Sequence, residues 1–237
     1  MRYTMKLFRI GLKQIRKDGM LLVMIPAPIL IGMFFKYAIP FLNTILTNRF
    51  SFPITDWYGL ADGMLTCLTP MFVAMISAFL LLEEREEGIS AFYQITPAEG
   101  NSYLAARIGL PMIWAFVMTI FVSVVFHISY VTFGVILLAS ILSSLTGIAL
   151  AMMEVSLAGN RVEGLALSKL MGISFIGLIL IWFIPAPYAY IMAILPSFWI
   201  GKMLMDGVDL FSCIFGVLSC FLWIIFFMRR LHRRFFL

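Results

Sequence analysis

Residues 108–153 read IGLPMIWAFVMTIFVSVVFHISYVTFGVILLASILSSLTGIALAMM, a stretch of 46 positions without Asp, Glu, Lys or Arg. A helix that crosses a bilayer needs about 20 mostly apolar residues. The stretch therefore predicts two membrane-spanning helices joined by a tight turn around residues 127–130. In the second helix, Ser143, Gly147 and Ala151 recur at four-residue spacing, a pattern that favours close helix packing within one subunit or between subunits.

Four further uncharged stretches flank this one, at 19–35, 63–82, 170–201 and 210–228. Of the 237 residues 62% are hydrophobic and 12% are charged, whereas soluble domains contain about 25% charged residues. The sequence predicts an all-α polytopic membrane protein and excludes a soluble domain, a disordered chain and a tethered nucleic-acid binder. Residues 1–19 are expected to form a cytoplasmic elbow helix, and residues 20–237 a six-span transmembrane domain. The expected spans are about 20–42, 60–82, 105–127, 131–153, 168–185 and 209–229.

The distribution of basic residues predicts the orientation of the chain. The N-terminal segment, the 83–107 and 154–169 loops and the C-terminal tail together carry 14 Lys and Arg residues, and the other side carries three, Lys36, Arg49 and Lys202. Short loops rich in Lys and Arg stay in the cytoplasm. Both termini are therefore expected to be cytoplasmic.

Residues 1–19 have the pattern of an amphipathic helix. At 100° per residue the basic side chains fall within one third of the circumference and the apolar ones fall on the other side. The basic set is Lys6, Arg9, Lys13, Arg16 and Lys17, and the apolar set is Met5, Leu7, Phe8, Leu12 and Ile15. Such a helix is expected to lie on the inner headgroups, either as a topology anchor alone or as an elbow helix that also braces a cytoplasmic partner.

An acidic run follows the second span. It reads Glu83-Glu84-Arg85-Glu86-Glu87-Gly88 and leads through residues 89–95 to Thr96-Pro97. Four carboxylates stand where Lys and Arg are usual on the inner side, so we expect the loop to project into the cytosol. Gly88 is suited to end the helix, and Phe92 and Tyr93 belong to an apolar patch that favours docking into a partner's groove. The alternative is a solvated charge run that merely ends a helix.

Two further segments are candidates for a functional role. The loop 154–169, with Asn160, Arg161, Glu163, Gly164 and Lys169, is either a plain connector or a docking element. The stretch 170–201 is interrupted by Pro185, Pro187 and Pro196, which predicts one full span and then a short re-entrant segment. Its aromatic residues Tyr188, Tyr190 and Trp199 also fit a belt at the outer interface.

Several absences limit the possible functions. With two histidines, His127 and His232, near span or chain ends, the sequence supports neither a metal site nor a catalytic triad. No acid or base lies at mid-depth in a span, which disfavours a proton- or sodium-coupled carrier. The phosphate-binding pattern GxxxxGK[ST] is missing as well. We therefore expect a protein that is not an enzyme, with no catalytic residue and no metal.

The order of these parts resembles the membrane subunit of a type-2 ABC exporter. The features that carry the resemblance are the basic elbow helix, the first span with Pro26 and Pro28, the acidic loop ending in Thr96-Pro97, the 160–169 loop and the Pro/aromatic segment before the last span. The resemblance implies a half-transporter that pairs with a second permease subunit, identical or not. It also implies a separate cytosolic ABC ATPase that binds ATP and Mg, with no cofactor on this chain.

The resemblance also assigns roles to the segments. The coupling helix that enters the ATPase maps onto Gly88 to Pro97, flanked by acids that pair with basic residues of the ATPase. Pro185 to Gly201 matches the re-entrant extracellular helices. Unlike larger relatives, this chain has no large external domain between its first two spans.

The sequence thus favours a permease subunit of the cell (inner) membrane that moves a hydrophobic or amphipathic compound outward, without a nucleic-acid partner. The rival is a non-transporting membrane assembly or immunity protein that binds a partner in the bilayer.

Overall fold

The computed structural model describes residues 2–89 and 100–235, and every regular element within these two ranges is helical. Six helical segments in them have the length and composition to cross a membrane, which confirms the all-α, six-span prediction. These segments are Gly19–Phe50, Thr55–Glu86, Ser102–Phe126, Phe133–Leu157, Arg161–Phe183 and Leu210–Arg233.

The α-helices are α1 Arg2–Lys17, α2 Gly19–Met24, α3 Ala27–Phe50, α4 Tyr58–Glu86, α5 Gly100–Leu104, α6 Leu110–Phe126, α7 Phe133–Leu157, α8 Arg161–Ser168, α9 Ile176–Phe183, α10 Pro196–Asp206 and α11 Leu210–Phe235. A π-helical turn, Ala105–Gly109, joins α5 to α6. Short 3₁₀ helices cover Thr55–Trp57, Lys169–Phe175 and Tyr188–Ile194. Below, the α1 end means the end of the bundle where α1 packs beside the last turns of α4.

Helix α4 lies at the centre of the bundle. In the apolar stretch of its span 78% of the residues are buried, whereas in that of the first span, Gly19–Phe50, only 17% are buried. Gly147 of α7 permits the close contact with α4, because a Cβ there would lie 3.2 Å from the Pro70 carbonyl oxygen. The small residues of α7 therefore serve packing within this chain.

The turn between α6 and α7, at the end of the bundle opposite α1, is fixed by two charged side chains. The Asp62 carboxylate accepts the backbone N–H groups of Ile128 at 3.0 Å and Ser129 at 2.9 Å, as well as the Ser129 hydroxyl. The Lys36 Nζ donates to the Val125 carbonyl oxygen at 2.6 Å, at the C-terminus of α6 where carbonyls lack helical partners. Asp62 lies near the start of its span, whereas Lys36 lies midway along the Gly19–Phe50 segment, level with the end of α6. Both charges stabilise backbone groups.

Helix α10 runs in the same direction as α9. A Cβ on Gly177 would meet the Ser197 and Phe198 atoms, and one on Gly201 would meet Ile181. Later residues of α9 therefore contact later residues of α10, as in two parallel helices. For α10 to start beside the beginning of α9, the chain must turn back into the bundle after α9. The prediction of an interfacial belt is wrong for Trp199, which is buried and donates its Nε1–H to the Ala193 carbonyl oxygen at 2.7 Å. Tyr188 and Tyr190 are exposed.

Helix α1 has three faces where the sequence indicated two. Leu7, Gly11 and Ile15 are buried against the bundle, so part of the apolar side serves protein packing. Met5 and Leu12 are exposed on the adjoining face, where an apolar surface suits lipid. The third face carries five exposed basic side chains, those of Lys6, Arg9, Lys13, Arg16 and Lys17.

Candidate coupling site

The acidic run is the last turn of α4 and the residues just after it. Helix α4 continues through Glu86, and Gly88 follows with a φ of 70°. Glycine adopts this left-handed conformation without the steric cost that other residues meet, and it commonly ends helices. The carboxylates of the run are therefore held on a rigid helix end.

Glu84 is inside the protein. It pairs with Arg107 of the π-helical turn, and each side chain is only 1% exposed. The Arg107 Nε donates to Glu84 Oε2 at 3.0 Å, its Nη2 donates to Glu84 Oε1, and the Tyr103 hydroxyl donates to Oε2 at 2.7 Å. A buried ion pair is stable only when its remaining polar atoms find partners, and here both carboxylate oxygens do.

Arg107 also reaches α1. Its Nη1 donates to the Leu7 carbonyl oxygen at 3.2 Å, and its Nη2 lies 3.4 Å from the Gln14 Oε1. Gly11 is required at this crossing, because a Cβ there would overlap the Arg107 guanidinium. One side chain therefore connects α1, α4 and the start of the third span, from a π-helical turn of the kind that often marks functional sites.

Arg161, the first residue of α8, makes a second connection. Its guanidinium pairs with Asp18 and lies 3.7 Å from Glu83 Oε2, and its backbone N–H donates to Glu86 Oε1 at 2.7 Å. Asp18 also caps α2 by accepting the N–H of Met20 at 2.8 Å. The hydrogen bond from Arg161 holds the pKa of the Asp18 carboxyl below its usual range, despite partial burial.

Helix α8 is capped and pressed against α4. The Asn160 side chain accepts the Glu163 N–H at 2.8 Å, and Glu163 Oε2 accepts the Gly159 N–H at 2.6 Å. This arrangement is close to a capping box, with the reciprocal hydrogen bond coming from the residue before the N-cap. Gly164 is buried, and a Cβ there would lie 2.5 Å from Leu82 Cδ1. The Arg85 Nη1 donates to the Ala158 carbonyl oxygen at 3.3 Å and adds to the same contact.

Glu154, one turn before the end of α7, lies beneath Gly164. Its carboxyl is fully buried, and among the described residues neither oxygen has a hydrogen-bond partner. Burying a polar group without a partner costs free energy. Glu154 is therefore a destabilising feature of this contact.

The structure brings two of the three predicted segments together. Glu83, Arg85 and Glu86 contact the 158–161 segment, so the two loops form one unit with α1. The expectation that the whole acidic run faces the cytosol is wrong for Glu84, whereas Glu87 and Gly88 are exposed. Phe92, Tyr93, Thr96 and Pro97 lie outside the described residues.

The remaining predicted residues lie elsewhere. Lys169 is exposed at the start of a 3₁₀ helix. The positions Pro185, Pro187, Pro196 and Trp199 belong to the connection from α9 to α10 and its first residues. In the described ranges no group of three or more His, Cys, Asp or Glu side chains has the geometry to hold a metal ion.

Asp18 and Arg107 were not singled out from the sequence. Asp18 precedes an apolar run, which is a helix-start signal, and Asn160-x-x-Glu163 is a capping-box signal. Both patterns predict helix starts, but neither predicts the partners. No sequence signal identified the pairing of Arg107 with Glu84.

Six apolar spans whose loops at one end are joined by buried and half-buried ion pairs define a polytopic membrane protein. The family model for Rv2686c-like fluoroquinolones export permease proteins matches residues 11–229. The chain belongs to this family, which confirms the resemblance to the permease subunit of a type-2 ABC exporter.

Two curated relatives are fluoroquinolones export permease proteins of Mycobacterium tuberculosis, MT2760 of strain CDC 1551 / Oshkosh and Rv2686c of strain ATCC 25618 / H37Rv. Each is 23% identical to this chain over 192 residues, which cover 78% of this chain and 75% of the relative. No solved structure matches the chain. The family favours a transport subunit over an enzyme and over the rival assembly or immunity protein.

Proposed function

We propose that the chain forms half of the translocation pathway of an ATP-driven exporter and that a separate cytosolic ATPase, with bound ATP and Mg, supplies the energy. A second permease subunit, either a copy of this chain or a sister chain, completes the pathway. The substrate is a hydrophobic or amphipathic compound. The name of the relatives makes fluoroquinolones the first candidates.

The joined α1 end is the observation that carries this proposal. Arg107 and Arg161 connect α1, α4, α8 and the start of the third span. A force on the segment after Glu86 would therefore be transmitted to α4, the most buried span, instead of being absorbed by a flexible loop. Energetic coupling between distant sites travels through such packed elements and ion-pair networks.

The contacts divide the acidic run by role. Glu83, Glu84 and Glu86 bind groups of this chain, so we assign the contact with the ATPase to Glu87, Gly88 and the 89–97 segment. The positive-inside distribution supports a cytoplasmic position for this end of the bundle, with the chain in the inner membrane. On the opposite side, α10 and the 184–195 connection form a re-entrant element near the exit.

Co-purification in mild detergent tests the coupling role. The ABC ATPase that accompanies the parent chain is expected to be lost, together with permease-stimulated ATP hydrolysis, when Phe92→Ala and Tyr93→Ala are combined. Tyr130→Ala is the matched control, because Tyr130 is a fully exposed tyrosine in the turn between α6 and α7. Unchanged assembly and hydrolysis in the double variant would remove the docking role from this segment.

Export is tested in cells by the accumulation of norfloxacin, a fluorescent fluoroquinolone. Cells with the permease and its ATPase are expected to accumulate less than cells whose ATPase lacks its phosphate-binding lysine. Vesicles that contain the permease alone and still move the compound uphill would contradict the proposal.

A further inference from the structure

A cavity of about 370 Å³ lies at the α1 end, between α1, the start of α3, α4 and α6. Its wall is almost entirely apolar and includes Gly11, Met24, Val73, Ser77, Trp114 and Met118. Sites for drug-sized molecules have volumes of about 300–1,000 Å³ and mostly apolar walls with a few polar groups. This cavity has the size and lining of such a site.

The cavity opens sideways from the bundle. Leu12, Ile25 and Trp114 line it and are also exposed, with Trp114 at 55%. Exposed apolar side chains on membrane helices face the hydrocarbon of the bilayer. A molecule dissolved in the leaflet beside α1 therefore reaches the cavity without crossing the protein.

One polar atom in the wall has no partner. The Ser77 hydroxyl is fully buried, and in the described part of the chain it makes no hydrogen bond. The neighbouring Thr69 hydroxyl donates to the Leu65 carbonyl oxygen at 3.1 Å, and Arg107 is held by Glu84 and the Leu7 carbonyl. The unpartnered hydroxyl is available to a ligand that enters the cavity.

A second cavity shows the contrast. It has about 240 Å³ and lies between α7, α11 and the 3₁₀ helix before α9. Its two hydroxyls are both used, since Thr146 donates to the Leu142 carbonyl oxygen at 2.8 Å and Ser174 donates to that of Met171 at 2.6 Å. An acyl chain suits such a wall, because nothing in it calls for a polar ligand.

We propose that the cavity beside α1 binds an aromatic amphiphile of the fluoroquinolone class, taken up from the cytoplasmic leaflet, with a ligand oxygen accepting a hydrogen bond from the Ser77 hydroxyl and the ring system packing against Trp114. An acyl chain would fill the cavity and contact its apolar wall, but it would leave the Ser77 hydroxyl without a partner. An unpaired buried polar group disfavours the ligand that cannot satisfy it. This inference rests on the proposed function and identifies where its substrate enters.

Binding of norfloxacin to the purified permease in lipid nanodiscs, without ATPase, tests the proposal. Fluorescence anisotropy gives the dissociation constant. Ser77→Ala removes one neutral hydrogen bond and is expected to weaken binding about 3- to 10-fold. Val73→Phe fills the cavity and is expected to weaken it at least about 10-fold.

Two controls match these changes. Ser140→Ala is the control for Ser77→Ala, because Ser140 is equally buried and also lacks a hydrogen-bond partner among the described residues, but lies outside the cavity. Leu170→Phe adds bulk at the second cavity. Both variants are expected to bind norfloxacin like the parent. If Ser77→Ala and Val73→Phe also bind like the parent, the cavity holds lipid or stays empty and the proposal is overturned.

The two proposals fail in different ways. If Ser77→Ala and Val73→Phe bind norfloxacin like the parent and still export it, the proposed binding site is wrong, whereas the proposed exporter function stands. If binding weakens in these two variants alone and the parent shows no ATP-driven export, the binding site is supported and the proposed exporter function is wrong.

Discussion

Arg107 and Glu84 form an ion pair across 23 positions of sequence, with each side chain 1% exposed. The pair joins the π-helical turn before α6 to the last turn of α4. Because Arg107 also donates to the Leu7 carbonyl, α1 is held by the same side chain. The stability of this end therefore depends on a desolvated charge pair, which makes its single substitutions informative.

Glu84→Ala is expected to destabilise the protein by about 3–5 kcal/mol, because it leaves the Arg107 charge buried without its partner. Thermal unfolding in detergent measures the effect. Glu87→Ala, on the exposed side of the same run, is the control and should change stability by less than about 0.5 kcal/mol. A double variant with Glu84→Met and Arg107→Met should recover most of the loss, since an apolar pair needs no charge partner.

Stability at the Asp18–Arg161 contact should depend on pH. The pKa of Asp18 is lower in the folded protein than in the unfolded chain, so its contribution is complete above the unfolded value of about 3.9 and is lost as the pH falls through the folded value. Amide exchange protection at Met20 is expected to stay constant from about pH 8 to 5 and to fall only in stronger acid. Asp18→Asn should reduce the free energy of protection at Met20 at neutral pH by about 1 kcal/mol or less. Equal protection in the two proteins would argue against this contact.

Gly164→Ala is expected to displace α8 from α4. The new methyl group would stand 2.5 Å from Leu82 Cδ1, and overpacking of this kind costs about 1–3 kcal/mol. We expect a lower melting temperature and reduced stimulation of the ATPase. Gly172→Ala is the matched control, because no atom lies within 4 Å of the added carbon. Helix propensity alone would make both alanine variants more stable, so a loss of the same size in both variants would argue against a specific contact with Leu82.

Glu154→Met is expected to stabilise the protein. The substitution removes a fully buried carboxyl that lacks a partner in the described part of the chain and keeps a side chain of similar length. Chemical denaturation should show a gain of about 1 kcal/mol or more. If transport falls while stability rises, the carboxyl serves function at the expense of stability. A loss of stability would show that Glu154 has a favourable partner.

Asp62→Ala should loosen the turn between α6 and α7. The carboxylate accepts hydrogen bonds from Ile128 and Ser129, and leaving these donors unpaired costs about 1–3 kcal/mol. Hydrogen exchange at Ile128 and Ser129 is the direct measurement. Asp56→Ala, at an exposed position of the same side, is expected to leave exchange at these amides unchanged, and faster exchange in both variants would disprove a local effect.

The six spans were predictable because the cost of a charge in hydrocarbon acts on each segment separately. The stretch 108–153 needed no tertiary information to yield α6 and α7. The three faces of α1 were not predictable in this way, since Leu7 and Met5 are both apolar and only the packed bundle decides which one it buries.

The candidate site was predictable in part. The acidic run was recognised as unusual and the 160–164 segment was interpreted as either a plain connector or a docking element. The sequence does not say that Arg161 reaches Glu83 and Asp18. The acidic composition of the run predicts that Glu84 is exposed to solvent, whereas in the structure the π-helical turn directs the Arg107 side chain to Glu84. A change of helical register at residues 105–109 has no clear sequence signature, and it decides where that side chain points.

Three polar side chains of α4 find partners in the third span or in the turn that follows it. Asp62 binds Ile128 and Ser129, Thr66 lies 3.1 Å from the Ser123 hydroxyl, and Glu84 pairs with Arg107. During synthesis α4 leaves the ribosome before any of these groups exist, and alone in lipid it would expose them to hydrocarbon at considerable cost. Residues 58–129 should therefore enter the bilayer as a helical hairpin, with the insertion machinery retaining α4 until α6 arrives.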